Sequence, residues 1–367
     1  MGTRLKKSIV VSAINFTDGG PLSILRECLG FLSERISMDY NIIALVNNAD
    51  IVNVPGIQYL EFPDSKKSWM KRILYEYYHF NMLSKRIKPF LWLSLHDVTP
   101  NVEASRRAVY CHNPAPFYNL SMRSALLDGK FVLFNMFYKY LYKINIKKND
   151  YIIVQQNWIR EEFIRRYKLN NVIVSYPEIK TEIVETPCHP PNKKTMFFYP
   201  TLARVFKNIE IVGESAIILN KTCGDMYEIV ITIDGTENKY SRYIYNKYKH
   251  VQNINFIGMQ SRREVYDLYD KVDCLIFPSK LETWGLPITE FKRYNKPIVL
   301  SNLKYAHETI GKYDKVAFFD PDNAVELADI LKSIMYNTIV FQETKVQHIQ
   351  PPFCQTWGDL FDYLLKQ

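Results

Sequence analysis

The chain contains two runs of alternating strand-like and helix-like segments, joined by a proline-rich stretch. The first run begins with the apolar segment Ser8–Ala13, and the second begins with Thr195–Tyr199. Residues 176–194 between them contain four prolines and show no apolar periodicity, as expected of a linker. Alternation of this kind predicts parallel sheets with helices on both faces. We therefore predict an α/β protein with two Rossmann-like domains, 1–180 and 195–345, that face each other across a cleft, followed by a tail at 346–367.

Composition excludes several classes of protein. Hydrophobic residues make up 47% and charged residues 23% of the 367 residues, as in ordinary globular proteins and unlike disordered chains. The six cysteines form no C-x-x-C pair, which argues against a zinc site and favours a reducing compartment. No apolar run is long enough to span a membrane, and no convincing signal peptide is present. A cytoplasmic protein, or one peripheral to the inner face of the plasma membrane, is expected.

The excess positive charge lies in the first half of the chain. Residues 1–180 hold 25 Lys+Arg against 15 Asp+Glu, a net charge of +10, while the whole chain carries +9. Lys66–Lys88 and Lys130–Lys148 concentrate this charge among aromatic residues. These segments are typical either of interfacial helices on an anionic membrane or of core helices with a solvated basic face. No recognition motif for nucleic acid accompanies them, so that partner is not expected.

One segment of the second run carries a candidate ligand site. Asp273–Pro278 reads as a strand, residues 279–285 as a loop and Ile288–Tyr294 as a helix. The loop follows the carboxyl end of a parallel strand, where such sheets bind ligands. Backbone N–H groups at the start of the helix suit a phosphate. Glu282 and Glu290 flank this anion site, and their carboxylates suit the hydroxyl donors of a sugar.

The same residues resemble a known family. The run FPSKLETWGLPITE at 277–290, followed by KPIVLSN and FDPD, is similar to the donor-sugar site of retaining glycosyltransferases of family 4. The resemblance covers residues 195–335 well and the first half loosely. It implies a metal-independent enzyme, without a cofactor, that moves a sugar from a nucleotide-sugar donor to a glycan hydroxyl. The family also implies a bacterial O-antigen or capsule pathway, a glycolipid acceptor and a C-terminal helix that crosses back to the first domain.

The resemblance assigns roles to individual residues. Glu290 would bind the ribose, the backbone of Gly258 and Met259 the base, and Glu282 the hydroxyls of the sugar. Arg204 and Lys207 would bind the diphosphate, although this chain lacks the glycine and the wider spacing of the usual G-R-L-x-x-x-K-N pattern. The implied catalytic residues are His112, Glu282, Lys207 and Arg204. The implied donor-binding residues are Glu290, Gly19, Gly20, Gly258, Met259, Thr283, Trp284, Gly285 and Leu286, and no metal ligand is expected.

Two histidines of the first domain are candidates for the residue that contacts the donor sugar. His112 follows a predicted strand in AVYCHNPAP and resembles the histidine that contacts the donor sugar near the reacting bond. His96 also ends a predicted strand. Two other functions stay open for the chain: a hydrolase or epimerase of nucleotide sugars with the same fold, or a non-catalytic scaffold.

Overall fold

The computed structural model describes residues 6–120, 122–178 and 194–366. Most of the predicted linker, 179–193, lies outside the described residues. The strands are β1 (Lys7–Ala13), β2 (Tyr40–Val46), β3 (Gln58–Glu61), β4 (Leu91–Ser94), β5 (Arg106–Cys111), β6 (Tyr151–Val154), β7 (Val172–Ser175), β8 (Thr195–Tyr199), β9 (Tyr227–Ile231), β10 (Ile254–Phe256), β11 (Cys274–Phe277), β12 (Ile298–Ser301), β13 (Val316–Phe319) and β14 (Phe353–Cys354).

The α-helices alternate with these strands. They are α1 (Gly19–Phe31), α2 (Trp69–Leu74), α3 (Phe80–Ile87), α4 (Met122–Leu127), α5 (Gly129–Leu141), α6 (Asn157–Tyr167), α7 (Ile209–Asn220), α8 (Lys239–Tyr248), α9 (Arg262–Lys271), α10 (Leu286–Lys292), α11 (Lys304–Ile310), α12 (Ala324–Met335) and α13 (Trp357–Leu365). A π-helical turn, Tyr75–His79, joins α2 to α3. None of the helices in the described ranges is both long and apolar enough to cross a membrane.

The described residues form two compact units. The first contains residues 6–116, 136–178 and 349–366, and the second contains residues 117–120, 122–135 and 194–348. The prediction of an uninterrupted first domain at 1–180 therefore differs from the structure at residues 117–135. Tyr118 and Phe131 of this segment pack their rings on Phe206 of the second unit, with centroid distances of 6.3 and 5.2 Å. Burial of this aromatic surface holds the segment there.

The first unit is built on one parallel sheet of eight strands. Its strand order is β14-β7-β6-β5-β4-β1-β2-β3. The direction of winding reverses between β1 and β4, which pair in register from Ile9 with Leu91 to Ser12 with Ser94. This position is the topological switch point of the sheet, where the loops after two neighbouring strands diverge and leave a crevice for a ligand.

The second unit repeats this plan with six parallel strands. Their order, β10-β9-β8-β11-β12-β13, is the 3-2-1-4-5-6 order of a Rossmann sheet. The switch point lies between β8 and β11, which pair at Phe197 with Cys274 and at Phe198 with Leu275. β11 is buried throughout and β8 over its last three residues, in keeping with a sheet covered on both faces. The predicted class, an α/β protein with two Rossmann-like domains, is confirmed.

The C-terminal tail belongs to the first unit, as the predicted return of the last helix requires. β14 pairs with β7 at the edge of the eight-stranded sheet. Helix α13 buries Leu360, Phe361 and Leu364 in the core beneath α1. The ring of Phe361 stacks on that of Phe31, with a centroid distance of 5.7 Å. The amphipathic pattern of the tail therefore reflects its packing on the first sheet.

Candidate functional site

The switch point of the second sheet brings the loops after β8 and β11 together. The backbone N–H of Lys280 donates to the carbonyl of Phe206 at 2.8 Å. The side-chain amide of Asn208 donates to the carbonyl of Pro278 at 3.2 Å. These cross-links fix the two loops side by side, although 75 residues separate the predicted site residues Lys207 and Glu282 in the sequence.

Lys207 and Glu282 form an ion pair at this switch point. Lys207 Nζ lies 2.5 Å from Glu282 Oε1, and the two side chains are only 15% and 13% exposed. Lys207 Nζ also lies 5.4 Å from the centroid of the Phe277 ring, within the range of a cation–π contact. An ammonium carries three N–H donors, so Lys207 can bind an anionic oxygen while it keeps Glu282. Low exposure strengthens that attraction because little water screens it.

Arg204, the other half of the predicted basic pair, has a different partner. Arg204 Nη1 lies 3.6 Å from Asp128 Oδ2, and the arginine side chain is half exposed. Asp128 belongs to the segment that joins the second unit from the first half of the chain. The structure therefore brings Lys207 to Glu282 and places Arg204 on Asp128. The shortened spacing between the two basic residues is consistent with this separation.

Glu290 lies on α10, the helix that follows the loop. Its side chain is largely buried; Tyr269 donates its hydroxyl hydrogen to Glu290 Oε2 at 3.3 Å. Arg262 Nη2 lies 3.5 Å from Glu290 Oε1. These contacts fix the position of the carboxylate. Sequence reasoning did not identify Tyr269 or Arg262; the only signal is their place on α9, the helix before β11.

The turn between Glu282 and α10 is tightly built. Gly285 has a φ of 84°, and a Cβ atom there would lie 3.1 Å from Ile288 Cδ1, so glycine suits both the backbone and the space. The indole N–H of Trp284 donates to Thr289 Oγ1 at 2.9 Å. The backbone carbonyl of Trp284 accepts a hydrogen bond from the Thr309 hydroxyl. Helix α10 begins at Leu286, one residue before the proline, and the partly exposed Thr283 precedes the turn.

The predicted base-reading loop follows β10. Gly258 has a φ of 71°, and a Cβ atom there would lie 2.9 Å from Asp234 Oδ2. A side chain at this position would therefore force Asp234 to move. Met259 is 72% exposed. A separate cavity of about 240 Å³ lies beside the loop after β8, between Asn208 and Tyr118.

The switch point of the first sheet holds the predicted glycine turn and both candidate histidines. Gly19, with a φ of 63°, and Gly20 begin α1 after the loop that follows β1. His96 follows β4 and is completely buried. Its Nε2 lies 2.8 Å from Glu76 Oε1 and 3.4 Å from Ser12 Oγ. His96 is therefore packed as an internal residue of this unit.

His112 follows β5 and has a different environment. Its ring stacks on Tyr110 at 4.3 Å and meets Phe16 edge-on at 5.7 Å. Burial lowers the pKa of His112 to about 3, opposed by its hydrogen bond to the carbonyl of Leu95. Nε2 is covered and has no hydrogen-bond partner among the described residues, so Nδ1 is the donor to Leu95. The imidazole is then neutral near pH 7, with an acceptor lone pair on Nε2.

Metal coordination was not expected from the sequence. Within the described ranges, no three His, Cys, Asp or Glu side chains lie together in a way that could hold a metal ion. Metal independence nevertheless stays a prediction.

Comparisons with known proteins show what the chain and its fold are similar to. The family of glycosyl transferases group 1 matches residues 180–347. The O-antigen chain mannosyltransferase RfbU of Salmonella typhimurium is 20% identical over 292 residues, which cover 77% of this chain and 76% of RfbU. The structure is similar to the lipopolysaccharide outer core galactosyltransferase WaaB (TM-score 0.64, 15% identity, 92% of each chain). It is also similar to Anabaena HepE in complex with UDP-glucose (TM-score 0.59, 13% identity, 90% of each chain). Residues 180–347 are therefore similar to the group 1 glycosyl transferases, and the chain has the fold of two Rossmann-like domains.

Proposed function

We propose that this protein is a retaining glycosyltransferase that moves a sugar from a nucleotide sugar to a hydroxyl of a lipid-linked glycan. The observation that carries the proposal is the Lys207–Glu282 ion pair at the switch point of the second sheet. Glu290 follows on the next helix. The names of RfbU and WaaB associate such chains with O-antigen and lipopolysaccharide, which supports assembly of a bacterial surface polysaccharide as the setting.

Each side chain of this site has a proposed partner on the donor. Lys207 binds the diphosphate and stabilises the negative charge that grows on it as the sugar–phosphate bond breaks, which is the largest catalytic contribution in many enzymes. Glu282 accepts hydrogen bonds from hydroxyls of the transferred sugar, and Glu290 accepts them from the ribose. HepE was solved with UDP-glucose, which supports a nucleotide sugar as the donor class here.

The proposed reaction needs no metal ion and no covalent intermediate. The bond from the anomeric carbon to the phosphate oxygen breaks with both electrons on the phosphate. The acceptor hydroxyl attacks from the same face of the ring, and its proton passes to the leaving phosphate oxygen. Lys207 supplies fixed positive charge to that leaving group. The anomeric configuration is thereby retained, and the products are a glycoside and a nucleoside diphosphate.

An acceptor-dependent transfer assay tests this function. The purified protein is incubated with nucleotide sugars and a lipid extract rich in glycan precursors, and products are separated by mass. A new glycolipid that is larger by one sugar, with release of one nucleoside diphosphate, is the expected result. Free sugar or an epimerised donor without acceptor would instead indicate a hydrolase or an epimerase. Absence of both binding and turnover with every donor would indicate a scaffold.

We further propose that α2, α3 and α5 bind an anionic membrane surface. Met70, Leu74, Tyr78 and Met82 are spaced four residues apart and are exposed. The buried stripe of the same helical segment is Arg72, Glu76, Phe80 and Ser84. A core helix would bury its apolar stripe. Here the apolar stripe is exposed and the buried stripe is mostly polar, which supports the interfacial alternative.

Helix α5 extends this aromatic surface and adds charge. The Trp69 ring meets the exposed Phe137 ring edge-on at 5.2 Å. Lys143 Nζ lies 5.7 Å from the centroid of the exposed Tyr140 ring, and Lys147 and Lys148 follow, both exposed. Aromatic side chains beside lysines suit the boundary between anionic headgroups and acyl chains. A lipid-linked acceptor would be reached from such a surface.

Replacing Trp69 and Tyr140 together by serine is expected to weaken binding to vesicles containing phosphatidylglycerol by at least about 10-fold, since each buried aromatic side chain contributes about 1.5–3 kcal/mol. Co-sedimentation of protein with vesicles measures the effect. Met38→Ser is the matched control, because Met38 is exposed but belongs to another part of the chain. Equal loss in the control, or equal binding to neutral vesicles, would contradict the proposal.

A further inference from the structure

The carboxylate of Asp97 joins the loops that follow β4 and β5 in the first unit. Asp97 Oδ1 accepts the backbone N–H of His112 at 2.6 Å and that of Asn113 at 3.0 Å. The hydroxyl of the buried Tyr142 lies 3.0 Å from the same oxygen and 3.0 Å from the carbonyl oxygen of Asn113, so its single hydrogen can donate to either. Two backbone donors and this hydroxyl around one buried oxygen make a strong local clamp.

The backbone at Asp97 is adapted to this contact. Its φ is 68°, a left-handed conformation that few non-glycine residues adopt; Asn and Asp are the most tolerant of them. The backbone N–H of Asp97 donates to the carbonyl of Tyr110 at 3.2 Å. Backbone strain persists where the surrounding structure enforces it, and it is concentrated at functional sites. Here the strained residue aims its carboxylate at the start of the loop after β5.

The clamped loop carries two buried polar atoms with no partner among the described residues. They are His112 Nε2 and Asn113 Nδ2. An unsatisfied buried polar group costs about 1–3 kcal/mol, and native structures keep few of them. The first of these atoms is an acceptor and the second a donor, a combination that matches a sugar hydroxyl.

We propose that Asp97 is a positioning residue for this site, which holds the His112–Asn113 backbone so that both side chains present their unpartnered nitrogens to a sugar hydroxyl. Binding of a sugar hydroxyl by His112 and Asn113 rests on the proposed function, whereas the contacts of Asp97 with their backbone do not. Asp97 touches neither donor nor acceptor in this account. It acts through the backbone of the two residues that do.

Two substitutions separate the clamp from the strained backbone. Asn at position 97 keeps an acceptor oxygen and tolerates the left-handed conformation, whereas Gly keeps the conformation and removes the acceptor. Asp97→Gly is expected to lower kcat about 10-fold or more, since small displacements of reacting groups have effects of this size. Asp97→Asn is expected to stay within about 3-fold of the parent enzyme, by the same argument.

A spectroscopic measurement tests the clamp without any substrate. The imidazole ¹⁵N shifts of His112, assigned with His112→Gln, report its tautomer. The parent protein and Asp97→Asn are expected to show a single tautomer protonated at Nδ1, and Asp97→Gly a mixture. An unchanged His112 spectrum in Asp97→Gly, or equal behaviour of the Asn and Gly variants, would overturn the proposal.

The spectra also separate this proposal from the proposed function. If no variant turns over any donor, the proposed function fails, and the tautomer still decides whether Asp97 positions His112. If Asp97→Gly does not fold, Tyr142→Phe replaces it, because that change removes one donor from the carboxylate and keeps the ring. It is expected to lower kcat about 3-fold, by a smaller displacement, and to broaden the His112 resonances. No change in either measurement would overturn the proposal.

Discussion

Lys207→Ala is expected to lower kcat for sugar transfer by about 10²–10³-fold, the usual effect of removing one group that stabilises developing negative charge. The substitution removes the cation that lies 2.5 Å from Glu282 at the switch point of the second sheet. Initial rates at saturating donor and acceptor measure kcat. Lys207→Arg keeps the charge but changes its geometry, and we expect it to recover only part of the loss.

Lys280→Ala is the matched control for this prediction. Lys280 lies in the neighbouring loop and pairs with Asp322, whose side chain is 77% exposed. Because exposed ion pairs contribute little, the control should keep its rate and its melting temperature. Equal losses in both variants would show that Lys207 acts only by holding the loops together. A normal rate in Lys207→Ala would remove Lys207 from the proposed mechanism.

His96→Ala is expected to lower the free energy of unfolding by about 3 kcal/mol, because it leaves a buried carboxyl oxygen of Glu76 without its partner, which costs about 1–3 kcal/mol, and opens a cavity in the core. Burial raises the pKa of Glu76 to about 8, although the nearby Arg72 opposes the shift, and lowers the pKa of His96. Without His96, Glu76 keeps no partner for its Oε1 at 2.8 Å, and a cavity remains. Urea unfolding followed by circular dichroism measures the change.

His112→Ala is expected to behave in the opposite way. It should lower the rate of transfer, while its effect on unfolding stays near 1 kcal/mol, the scale of a lost aromatic contact. The pair of variants therefore decides between the two histidines that the sequence left in competition. Full activity in His112→Ala, together with a stable and inactive His96→Ala protein, would reverse the assignment.

Much of the fold follows from local patterns. Strands β1, β8 and β11 lie where the apolar runs Ser8–Ala13, Thr195–Tyr199 and Asp273–Pro278 predict them, because buried parallel strands are short, apolar and bounded by polar turns. The order of the strands is not local information. The contact of Lys207 with Glu282 depends on β8 lying beside β11, and here only the resemblance to a family placed the two residues in one site.

Other features depend on packing that no short pattern reveals. Residues 117–135 read as part of the first domain, yet the rings of Tyr118 and Phe131 pack against Phe206 in the second unit. The two-residue strand β14 is too short to show a periodicity of apolar residues in the sequence. The helical segment from α2 to α3 shows its basic and aromatic residues in the sequence, but which stripe is buried depends on the sheet beneath it. The clamp at Asp97 requires a left-handed backbone conformation, which the sequence His96-Asp97 does not predict.

The proposed function depends above all on binding of a nucleotide sugar by the second unit, through Glu290 and its neighbours. Thermal denaturation of the purified protein with UDP, GDP, dTDP, CMP and their common sugars, beside Glu290→Ala, tests it most directly. A ligand at 100 times its Kd stabilises the folded state by about 2.7 kcal/mol, which gives a measurable rise in Tm. We expect one nucleotide series to raise the Tm of the parent protein and to have little effect on Glu290→Ala. No rise with any nucleotide at millimolar concentration, or an equal rise in the variant, would contradict the account.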